Sequence, residues 1–268
     1  MEVKIKGMNL SQIADSGQCF RWKRISDETY EITAYDRYLR ISGKDDNFFL
    51  SCDEREWKEI WYRYFDMDTD YEGIGKMIMG SQDDYLKEAY ACGSGIRILN
   101  QDLWETLVSF IISQNNNIKR IKGSIEAICD KAGLPVKGEA PEGKYRFPGP
   151  DDIDRDFFND TGLGLGYRDR YLADIYEYAG NNPGFPGCLK DMDEETAFLK
   201  LKSFNGIGDK VANCVCLFGL HHIDAFPVDT HIKQILDRYY PYGFDFDRYK
   251  GCAGIVQQYM FNHKLNKR

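Results

Sequence analysis

The spacing of the apolar residues changes near Asp53, and this change constrains the fold more than any other feature of the chain. Before it, apolar and polar residues alternate with the period of two that is typical of β-strands. Four stretches carry this alternation: FRWKRI, TYEITAYD, RYLRISG and NFFLSC. They predict an antiparallel sheet of short strands. After Asp53 the period becomes helical, and one helix face is formed by Trp57, Ile60, Trp61 and Tyr64.

A short segment rich in small residues, Ala91–Gly95, marks a junction in the chain. Before it, a helix near residues 71–79 is weakened by two glycines. Beyond it, helices are predicted over residues 101–113, 117–132, 167–180, 191–204 and 209–220, after PVDTH, and over 251–262. The sequence therefore predicts an α+β fold, with a small N-terminal antiparallel sheet domain and flanking helices at residues 1–92, and a larger all-helical domain at 93–268.

The composition argues against several classes of protein. No apolar run approaches the roughly 20 residues that span a bilayer, so no membrane partner is expected. The eight cysteines include no C-x-x-C pair, which gives no support to a zinc ribbon or an iron–sulfur cluster. A net charge of −8 weighs against non-specific binding of nucleic acid. Basic residues nevertheless gather in NNNIKRIKGS and NHKLNKR.

Two helical stretches meet at the tetrapeptide NGIG, residues 205–208. Gly206 and Gly208 allow positive φ and a close approach of the backbone to a large ligand. The free N–H groups at the start of the second helix then suit a phosphate oxygen. A helix–hairpin–helix that grips a DNA phosphate is one interpretation, and an ordinary turn between two packed helices is the other. The spacing alone does not separate them.

Lys210 stands at the start of a helix whose following residues, VANCVCLFGL, are almost all apolar. A cation there faces the positive end of the helix macrodipole, so either the side chain reaches solvent or a neutral amine serves the site. Asp229 in PVDTH stands where the next helix needs an N-cap, the commoner role of such an aspartate. A neutral lysine beside a carboxylate can also attack C1′ of a nucleoside and form a Schiff base, while the carboxylate stabilises positive charge on the sugar.

GIGDKVANC followed by PVDTH resembles the helix–hairpin–helix DNA glycosylases, and in particular the 8-oxoguanine DNA glycosylases that are also AP lyases. Four further stretches match that family in order and spacing: SGQCFRW, SQNNNIKRI, GLGYRDRY and AGIVQQYMF. Residues 23–95 and 133–146 show little similarity to the family. The resemblance implies that Lys210 is the Schiff-base nucleophile and Asp229 the catalytic carboxylate.

The resemblance also implies a pocket for the damaged base. The carbonyl of Gly17 would accept a hydrogen bond from N7–H of 8-oxoguanine, a position at which guanine has only an acceptor, so one contact would select the lesion. The flipped base would be held between Cys214 and Phe261, and Gln257 would bond its Watson–Crick edge. Without the resemblance, Cys214 and Phe261 would be assigned to the core and Gly17 to a turn.

Further contacts are implied to the opposite base and to phosphate. Asn115 would fill the gap left by the flipped base, and Arg120 and Arg168 would read the acceptor edge of the orphaned cytosine. Tyr167 would be the wedge beside it, and His231 would contact a phosphate that flanks the lesion. Taken alone, Asn115 would be a cap or turn residue, and the two arginines would be solvated surface residues.

The sequence therefore predicts a bifunctional base-excision repair enzyme that removes 8-oxoguanine opposite cytosine and cleaves the strand by β-elimination. One alternative is another glycosylase of the superfamily, although Lys210 argues against the branch for alkylated bases. The other is a non-catalytic helix–hairpin–helix module, which needs the glycines but not the lysine and aspartate. Damaged duplex DNA is the expected partner, a monomer the expected state, and a cytoplasm (or a prokaryotic nucleoid) the expected location. No metal or cofactor is predicted, and the sequence does not decide whether the hairpin carbonyls bind a structural cation.

Overall fold

The computed structural model describes residues 1–267 and begins with a five-stranded antiparallel sheet of strand order β1-β5-β4-β3-β2. The strands are β1 (Glu2–Lys4), β2 (Trp22–Ser26), β3 (Thr29–Ala34), β4 (Arg37–Lys44) and β5 (Asn47–Leu50). The predicted sheet and the α+β class are confirmed, whereas β1 is an additional strand that the prediction missed. Because β1 has only three residues and only Val3 among them is even half-buried, it shows no alternation.

Alternation in the strands places one face of the sheet against a helical segment. Four buried residues lie in opposed pairs on β3 and β4, Tyr30 with Ile41 and Ile32 with Leu39. The segment that packs in the same core consists of α2 (Glu54–Glu56), a π-helical turn (Trp57–Trp61) and α3 (Tyr62–Tyr64). It buries Trp57, Trp61 and Tyr64, as the helical spacing predicts.

Three further helices belong to the first third of the chain: α1 (Leu10–Asp15), α4 (Tyr71–Met79) and α5 (Asp84–Gly93). The predicted helix over 71–79 forms despite its glycines. Gly75 faces Tyr90 on α5, and a Cβ at this position would lie 2.1 Å from the tyrosine hydroxyl. The glycine therefore allows α4 and α5 to approach closely.

The rest of the chain is mostly helical. The helices are α6 (Leu103–Ser113), α7 (Ile118–Ala132), α8 (Asp169–Asn181), α9 (Glu194–Lys202), α10 (Asp209–Phe218), α11 (Thr230–Tyr239) and α12 (Ala253–Asn266). The predicted helices are confirmed, with ends that differ by a few residues. Asp102, Asn117 and Asp193 accept N–H groups of the first turns of α6, α7 and α9, which fixes where those helices begin. Within residues 1–267, no helix is long and apolar enough to cross a membrane.

α5 packs along α12, although it precedes the predicted junction. Leu86 and Ala89 of α5 belong to the core of the helical region. A Cβ at Gly93 would lie 3.4 Å from the ring of Tyr259 on α12, so the two helices are in close contact. The domain division between residues 92 and 93 stays a prediction.

The start of α12 approaches α10 at Gly254, where only a glycine fits. A Cβ at Gly254 would lie 2.4 Å from the Leu217 side chain. It would also lie 2.7 and 2.8 Å from the backbone carbonyl oxygens of Ala225 and Ile223. The N–H of Gly254 donates to the Ile223 carbonyl at 2.7 Å. This contact sets the separation of the two helices that carry Lys210, Cys214, Gln257 and Phe261.

We expect Gly254→Ala to lower the free energy of unfolding by about 1–3 kcal/mol, because the added methyl group overpacks the contact between α10 and α12. Gly123→Ala is the control, since Gly123 is exposed on α7 and a Cβ there meets nothing within 4 Å. It should instead stabilise the protein by about 0.5–1 kcal/mol through helix propensity. Urea unfolding of both variants measures the two effects. Equal stability of the two variants would contradict the close contact.

Candidate active site

The hairpin between α9 and α10 requires glycine at Gly206 for two reasons. Gly206 has φ of +82°, and a Cβ there would lie 2.5–2.8 Å from ring atoms of Tyr171. Gly208 precedes α10 as its N-cap, and a Cβ there would meet nothing within 4 Å. As a glycine, Gly208 has no side chain with which to cap this helix. The first N–H groups of α10 are therefore open to a ligand from the side of Gly208.

Lys210 lies in the first turn of α10, and its side chain turns inward rather than into bulk solvent. It is half-buried, and its Nζ lies 4.8 Å from the ring centroid of Phe110 on α6. Cys214 follows one helical turn later; burial raises the pKa of its thiol, and the neighbouring Lys210 charge opposes that shift. In the part of the chain that the structure describes, no carboxylate forms an ion pair with Lys210. Its amine is thus placed beside apolar and thiol groups.

Asp229 is the N-cap of α11, as its position after Pro227 predicts. One carboxylate oxygen, Oδ1, accepts the backbone N–H groups of His231 at 2.9 Å and Ile232 at 2.8 Å. No hydrogen bond to Oδ2 is found within residues 1–267. The capping role and a chemical role are therefore compatible, because the cap fixes the carboxylate through one oxygen and leaves the other for a substrate.

Two adjoining cavities meet around Lys210 and Asp229, which line both. Seven predicted site residues line one or both of them: Gly17, Asn115, Lys210, Cys214, Asp229, Gln257 and Phe261. The outer cavity measures about 670 Å³ and the inner one about 50 Å³. The structure thus brings the predicted catalytic pair and the predicted base pocket into one place.

Gly17 reaches this place on a rigid loop. It has φ of +76°, and a Cβ there would lie 3.3 Å from Cε1 of Phe261. The loop is held by the buried side chain of Gln18, whose Nε2 donates to the Arg97 carbonyl at 2.9 Å. Its Oε1 accepts the N–H of Leu99 at 2.8 Å. Gln18 therefore fixes the position of Gly17 relative to the helical region.

Gln257 and Phe261 lie on one face of α12 and differ in how firmly they are held. Gln257 is buried, with Nε2 donating to the Pro227 carbonyl and Oε1 accepting from Gln258, both at 2.9 Å. Phe261 is half-buried and its ring centroid lies 6.0 Å from that of His231. Hydrogen bonds thus hold both Nε2 and Oε1 of Gln257, whereas the Phe261 ring forms part of the cavity wall.

The loop between α6 and α7 presents Asn115 to solvent. Asn115 is exposed and has φ of +45°, a left-handed conformation that asparagine tolerates better than most residues. Its two neighbours are used locally: Asn116 donates to the Ile112 carbonyl at 3.1 Å, and Asn117 caps α7. The side chains of Asn116 and Asn117 are therefore used within the loop, whereas that of Asn115 is exposed.

Arg168 is buried, and the interpretation of this residue as solvated is wrong. Only 5% of it is exposed. Nε donates to the Gln114 carbonyl at 2.9 Å, and Nη2 donates to the Asn115 carbonyl at 3.0 Å and also to Gln114. Nη1 donates to the Leu165 carbonyl at 3.0 Å. The guanidinium therefore holds the backbone of the asparagine loop.

The other predicted DNA contacts lie around the cavities rather than in them. Tyr167 is exposed, and its ring lies 4.6 Å from the Arg168 guanidinium carbon. Arg120 is exposed on the first turn of α7. His231 is half-buried in the first turn of α11. Their roles stay predictions.

The sequence reasoning missed several residues that shape this site. Phe110 lies within the predicted helix over residues 101–113 but was not singled out there, yet it lines both cavities and faces Lys210. Ile118 and Val228 line the outer cavity and are 49% and 42% exposed. An isoleucine directly after NNN and a valine directly after a proline were the available signals, but neither one indicates an exposed apolar rim.

No group of three or more His, Cys, Asp or Glu residues within residues 1–267 is arranged to hold a metal ion.

Comparisons with known proteins place the chain in a family. The N-terminal domain family of 8-oxoguanine DNA glycosylases matches residues 1–107. MBOgg1, solved in complex with a low-affinity DNA ligand, is 34% identical with a TM-score of 0.88, covering 99% of this chain and 95% of that one. The chain belongs to the 8-oxoguanine DNA glycosylase family. The prediction from the sequence is therefore confirmed on two points, the helix–hairpin–helix family and the N-glycosylase/DNA lyase class.

Two other members of the family extend the comparison. The 8-oxoguanine glycosylase/lyase of Clostridium acetobutylicum, solved with double-stranded DNA that contains cytosine opposite 8-oxoguanine, is 32% identical with a TM-score of 0.87. The match covers 100% of this chain and 98% of that one. The N-glycosylase/DNA lyase of Saccharomyces cerevisiae is 29% identical over 261 residues, 86% of this chain and 68% of the yeast chain.

We expect Gly206→Ala and Gly208→Ala to separate hairpin folding from DNA binding in this glycosylase. Gly206→Ala should lower the free energy of unfolding by at least about 1 kcal/mol, since it combines positive φ with overlap on Tyr171. Gly208→Ala should lower stability by less than about 1 kcal/mol, since alanine is a poorer N-cap than glycine but the position needs no positive φ. Both variants should weaken binding of duplex DNA, measured by fluorescence anisotropy. Unchanged binding by Gly208→Ala would contradict a phosphate contact at the hairpin.

Proposed function

We propose that the protein excises 8-oxoguanine paired with cytosine in duplex DNA through a Schiff base on Lys210, and then cleaves the strand by β-elimination. The observation that carries this proposal is the placement of Lys210 and Asp229 on one cavity, with the amine against Phe110 and no carboxylate bound to it within residues 1–267. A lysine that served only solubility would extend into solvent, and one that served only stability would form an ion pair.

The reaction needs a nucleophile, a place for positive charge and a path for the leaving base. The neutral Lys210 amine forms a bond to C1′ as the bond from C1′ to N9 breaks, and the departing base takes up a proton. A proton then passes from Nζ to O4′, and the C1′–O4′ bond breaks as the nitrogen electron pair forms the second bond to C1′, which leaves an iminium between Nζ and C1′ and a hydroxyl at C4′. The carboxylate of Asp229 stabilises the positive charge on the sugar through Oδ2. Removal of a C2′ proton then expels the 3′ phosphate.

Recognition of the lesion is proposed to rest on the backbone of Gly17. Its carbonyl would accept N7–H of 8-oxoguanine, whereas guanine would face it with an acceptor and leave both groups without a partner. The buried amide of Gln257, fixed by Pro227 and Gln258, would bond the Watson–Crick edge. Because both groups are held in place by hydrogen bonds, neither of them has to move when the base enters.

The base pocket must enlarge before a purine fits. The inner cavity of about 50 Å³ holds little more than a water molecule or two. Phe261 is the half-buried wall of this cavity and lies against Gly17. We infer that its ring swings away to admit the base and then stacks on it, with Cys214 on the opposite face.

The opposite cytosine is proposed to meet Asn115 and the residues around it. Asn115 would enter the duplex in place of the flipped base, with Tyr167 as the wedge beside it. Arg120, exposed on α7, is free to turn toward the cytosine. Arg168 would have to exchange loop carbonyls for the base acceptors, so its bonds to Gln114 and Asn115 make it a candidate for rearrangement on DNA binding.

Duplex DNA is the proposed partner, bound by a monomer. The backbone at Gly208 and the side chain of His231 would contact its phosphates, and the exposed apolar residues Ile118 and Val228 would pack beside the opened base pair.

All eight cysteines are free in the structure. This agrees with a reducing compartment, and we place the enzyme in the cytoplasm, or at the nucleoid in a prokaryote.

A non-catalytic helix–hairpin–helix module is the alternative from another functional class. Such a module has no use for a fixed pair of Lys210 and Asp229 or for the closed pocket of Gln257 and Phe261. The 3-methyladenine DNA glycosylase of Archaeoglobus fulgidus shares the fold at a TM-score of 0.72, but its 16% identity carries no argument about the substrate. Activity on defined lesions separates these alternatives.

We expect Lys210→Gln to bind an 8-oxoguanine:cytosine duplex with an affinity within about threefold of the wild type while losing both base excision and strand cleavage. Glutamine cannot form the imine, although its polar side chain is only one bond shorter than that of lysine. Single-turnover assays that separate free base from nicked strand, with binding by anisotropy, measure both properties. Retained excision by this variant would overturn the proposed nucleophile, and excision without nicking would show that Lys210 serves only the second step.

Asp229→Asn tests chemistry apart from capping. Asparagine caps helices as well as aspartate does, so stability should change by less than about 0.5 kcal/mol. The single-turnover rate should fall on the order of 100-fold, because the charge that stabilises the sugar cation is lost. Asp229→Ala, which removes the cap as well, should lower stability by about 1 kcal/mol. If Asp229→Asn kept the wild-type rate, Asp229 would be a cap only.

Gly17→Ala should lose far more activity than Gly7→Ala, although both carry similar strain. Both positions have φ near +70°, so alanine should lower stability by about 1–2 kcal/mol at each. Only at Gly17 does the new Cβ meet Phe261, whereas the Cβ at Gly7 meets nothing within 4 Å. The kcat/KM for 8-oxoguanine excision measures the difference. Equal kcat/KM values for the two variants would contradict the role of Gly17 in the pocket.

A further inference from the structure

A second concavity of about 350 Å³ lies apart from the catalytic cavities, between the start of α5 and the C-terminal halves of α11 and α12. Six of its lining residues matter for the argument: Tyr85, Arg238, Tyr239, His263, Lys264 and Lys267. The rings of Tyr85 and Tyr239 stack with centroids 4.0 Å apart and form one wall. The proposed chemistry on DNA uses none of these residues.

His263 is buried in the wall of this concavity without the hydrogen-bond partners that a buried imidazole normally has. Only 4% of it is exposed, and neither ring nitrogen has a partner at good hydrogen-bond geometry within residues 1–267, although the backbone of Glu88 lies close enough to raise the pKa of the ring. The carboxylate oxygen Oε2 of Glu88 lies 3.8 Å from Nε2, beyond hydrogen-bond distance. The hydroxyl of Tyr85 is likewise buried without a partner. Buried polar groups of this kind are normally satisfied, so the two donors indicate a ligand.

The concavity is also rich in positive charge, although the protein carries a net charge of −8. Arg238 lies over the ring of Tyr239 at 5.1 Å. Within the described residues 1–267, neither Arg238 nor Lys264 forms an ion pair with a carboxylate. Lys267 is bound to Glu88 at 2.8 Å. Two cations therefore remain to be balanced at the same place as the two donors without partners.

We propose that this concavity is a binding site for a phosphate group. A guanidinium presents paired donors that match two oxygens of a phosphate, and an ammonium supplies a point charge. The imidazole of His263 and the hydroxyl of Tyr85 would donate to the remaining oxygens once the side chains that cover these atoms move aside. The site goes beyond the proposed excision reaction and does not depend on it.

The phosphate in this site cannot be that of the lesion nucleotide. Arg238 lies eight residues beyond Thr230, which lines the outer catalytic cavity, and this is about 12 Å along α11. Lys233, which also lines the outer cavity, and Arg238 project about 140° apart around the helix. The phosphate therefore belongs either to a free anion or to the DNA backbone at another point of the duplex.

The state of His263 supplies a readout. Burial, together with the charge of Lys267, holds the pKa of this imidazole below its ordinary value, while Glu88 opposes the shift. The charged groups that face it are Glu88 from α5, Arg238 from α11, and Lys264 and Lys267 from α12. A phosphate at this position would favour the protonated ring, so the ring resonances should move when the anion binds.

The test is a titration of the DNA-free full-length protein with inorganic phosphate and pyrophosphate, followed by NMR of the histidine rings. The chain has only four histidines, which keeps the spectrum simple. The variant is Arg238→Gln/Lys264→Gln. Its control is Lys4→Gln/Lys250→Gln, which removes the same charge at two exposed positions away from the concavity. We expect a saturable shift of the His263 signals, with an affinity at least about tenfold weaker in the variant and unchanged in the control.

A second titration with lesion-free duplex DNA distinguishes the source of the phosphate. Saturation by phosphate or pyrophosphate supports the site and assigns it to a free anion. If only the duplex shifts the His263 signals, and the salt dependence of DNA binding is reduced in the variant but not in the control, the site is supported and is assigned to the DNA backbone. No response to either ligand, or equal responses in variant and control, overturns the proposal. Single-turnover excision at saturating duplex should be unchanged in every variant, so failure of this site and failure of the proposed reaction are distinguishable.

Discussion

The active site depends on the burial of α10 between α6 and α12. On one side, Phe218 stacks on Phe110 with ring centroids 5.6 Å apart. On the other, Leu217 packs where Gly254 leaves no room for a side chain. Since both contacts lie at the C-terminal end of α10, they fix the helix as a rigid rod, and its first turn can hold Lys210 over Phe110 at 4.8 Å. The proposed nucleophile is therefore positioned by packing rather than by an ion pair.

The remaining parts of the candidate site are held near α10 by hydrogen bonds between buried side chains and the backbone. Gln18 ties the loop of Gly17 to the segment before α6, so the proposed recognition group comes from the N-terminal part of the chain and lies beside the helices that carry Lys210 and Phe261. Arg168 holds the loop of Asn115 in the same manner, through carbonyl oxygens. Both residues are long polar side chains that are buried because the backbone groups they bind would otherwise lack partners.

The sequence predicted the parts of this arrangement that have a local cause. The alternation of the strands, the helix periods and the N-cap at Asp229 follow from neighbouring residues, and all are confirmed. Short β1 could not be predicted, since its pairing with β5 comes from the tertiary fold. The burial of Arg168 and the role of Gln18 were missed for the same reason, because their partners lie about 50 and 80 residues away. The meeting of Lys210 with Phe110 likewise required the packing of α6.

The most direct measurement of the central claim is borohydride reduction during the reaction, followed by peptide mass spectrometry of the adduct. The account predicts a covalent complex on the 8-oxoguanine:cytosine duplex, with the sugar remnant on the peptide that contains Lys210, and none on a guanine:cytosine duplex. An adduct at another amine would contradict the assigned nucleophile. Absence of any adduct despite efficient excision would show that a water molecule attacks C1′, and that Lys210 is held in place for another purpose.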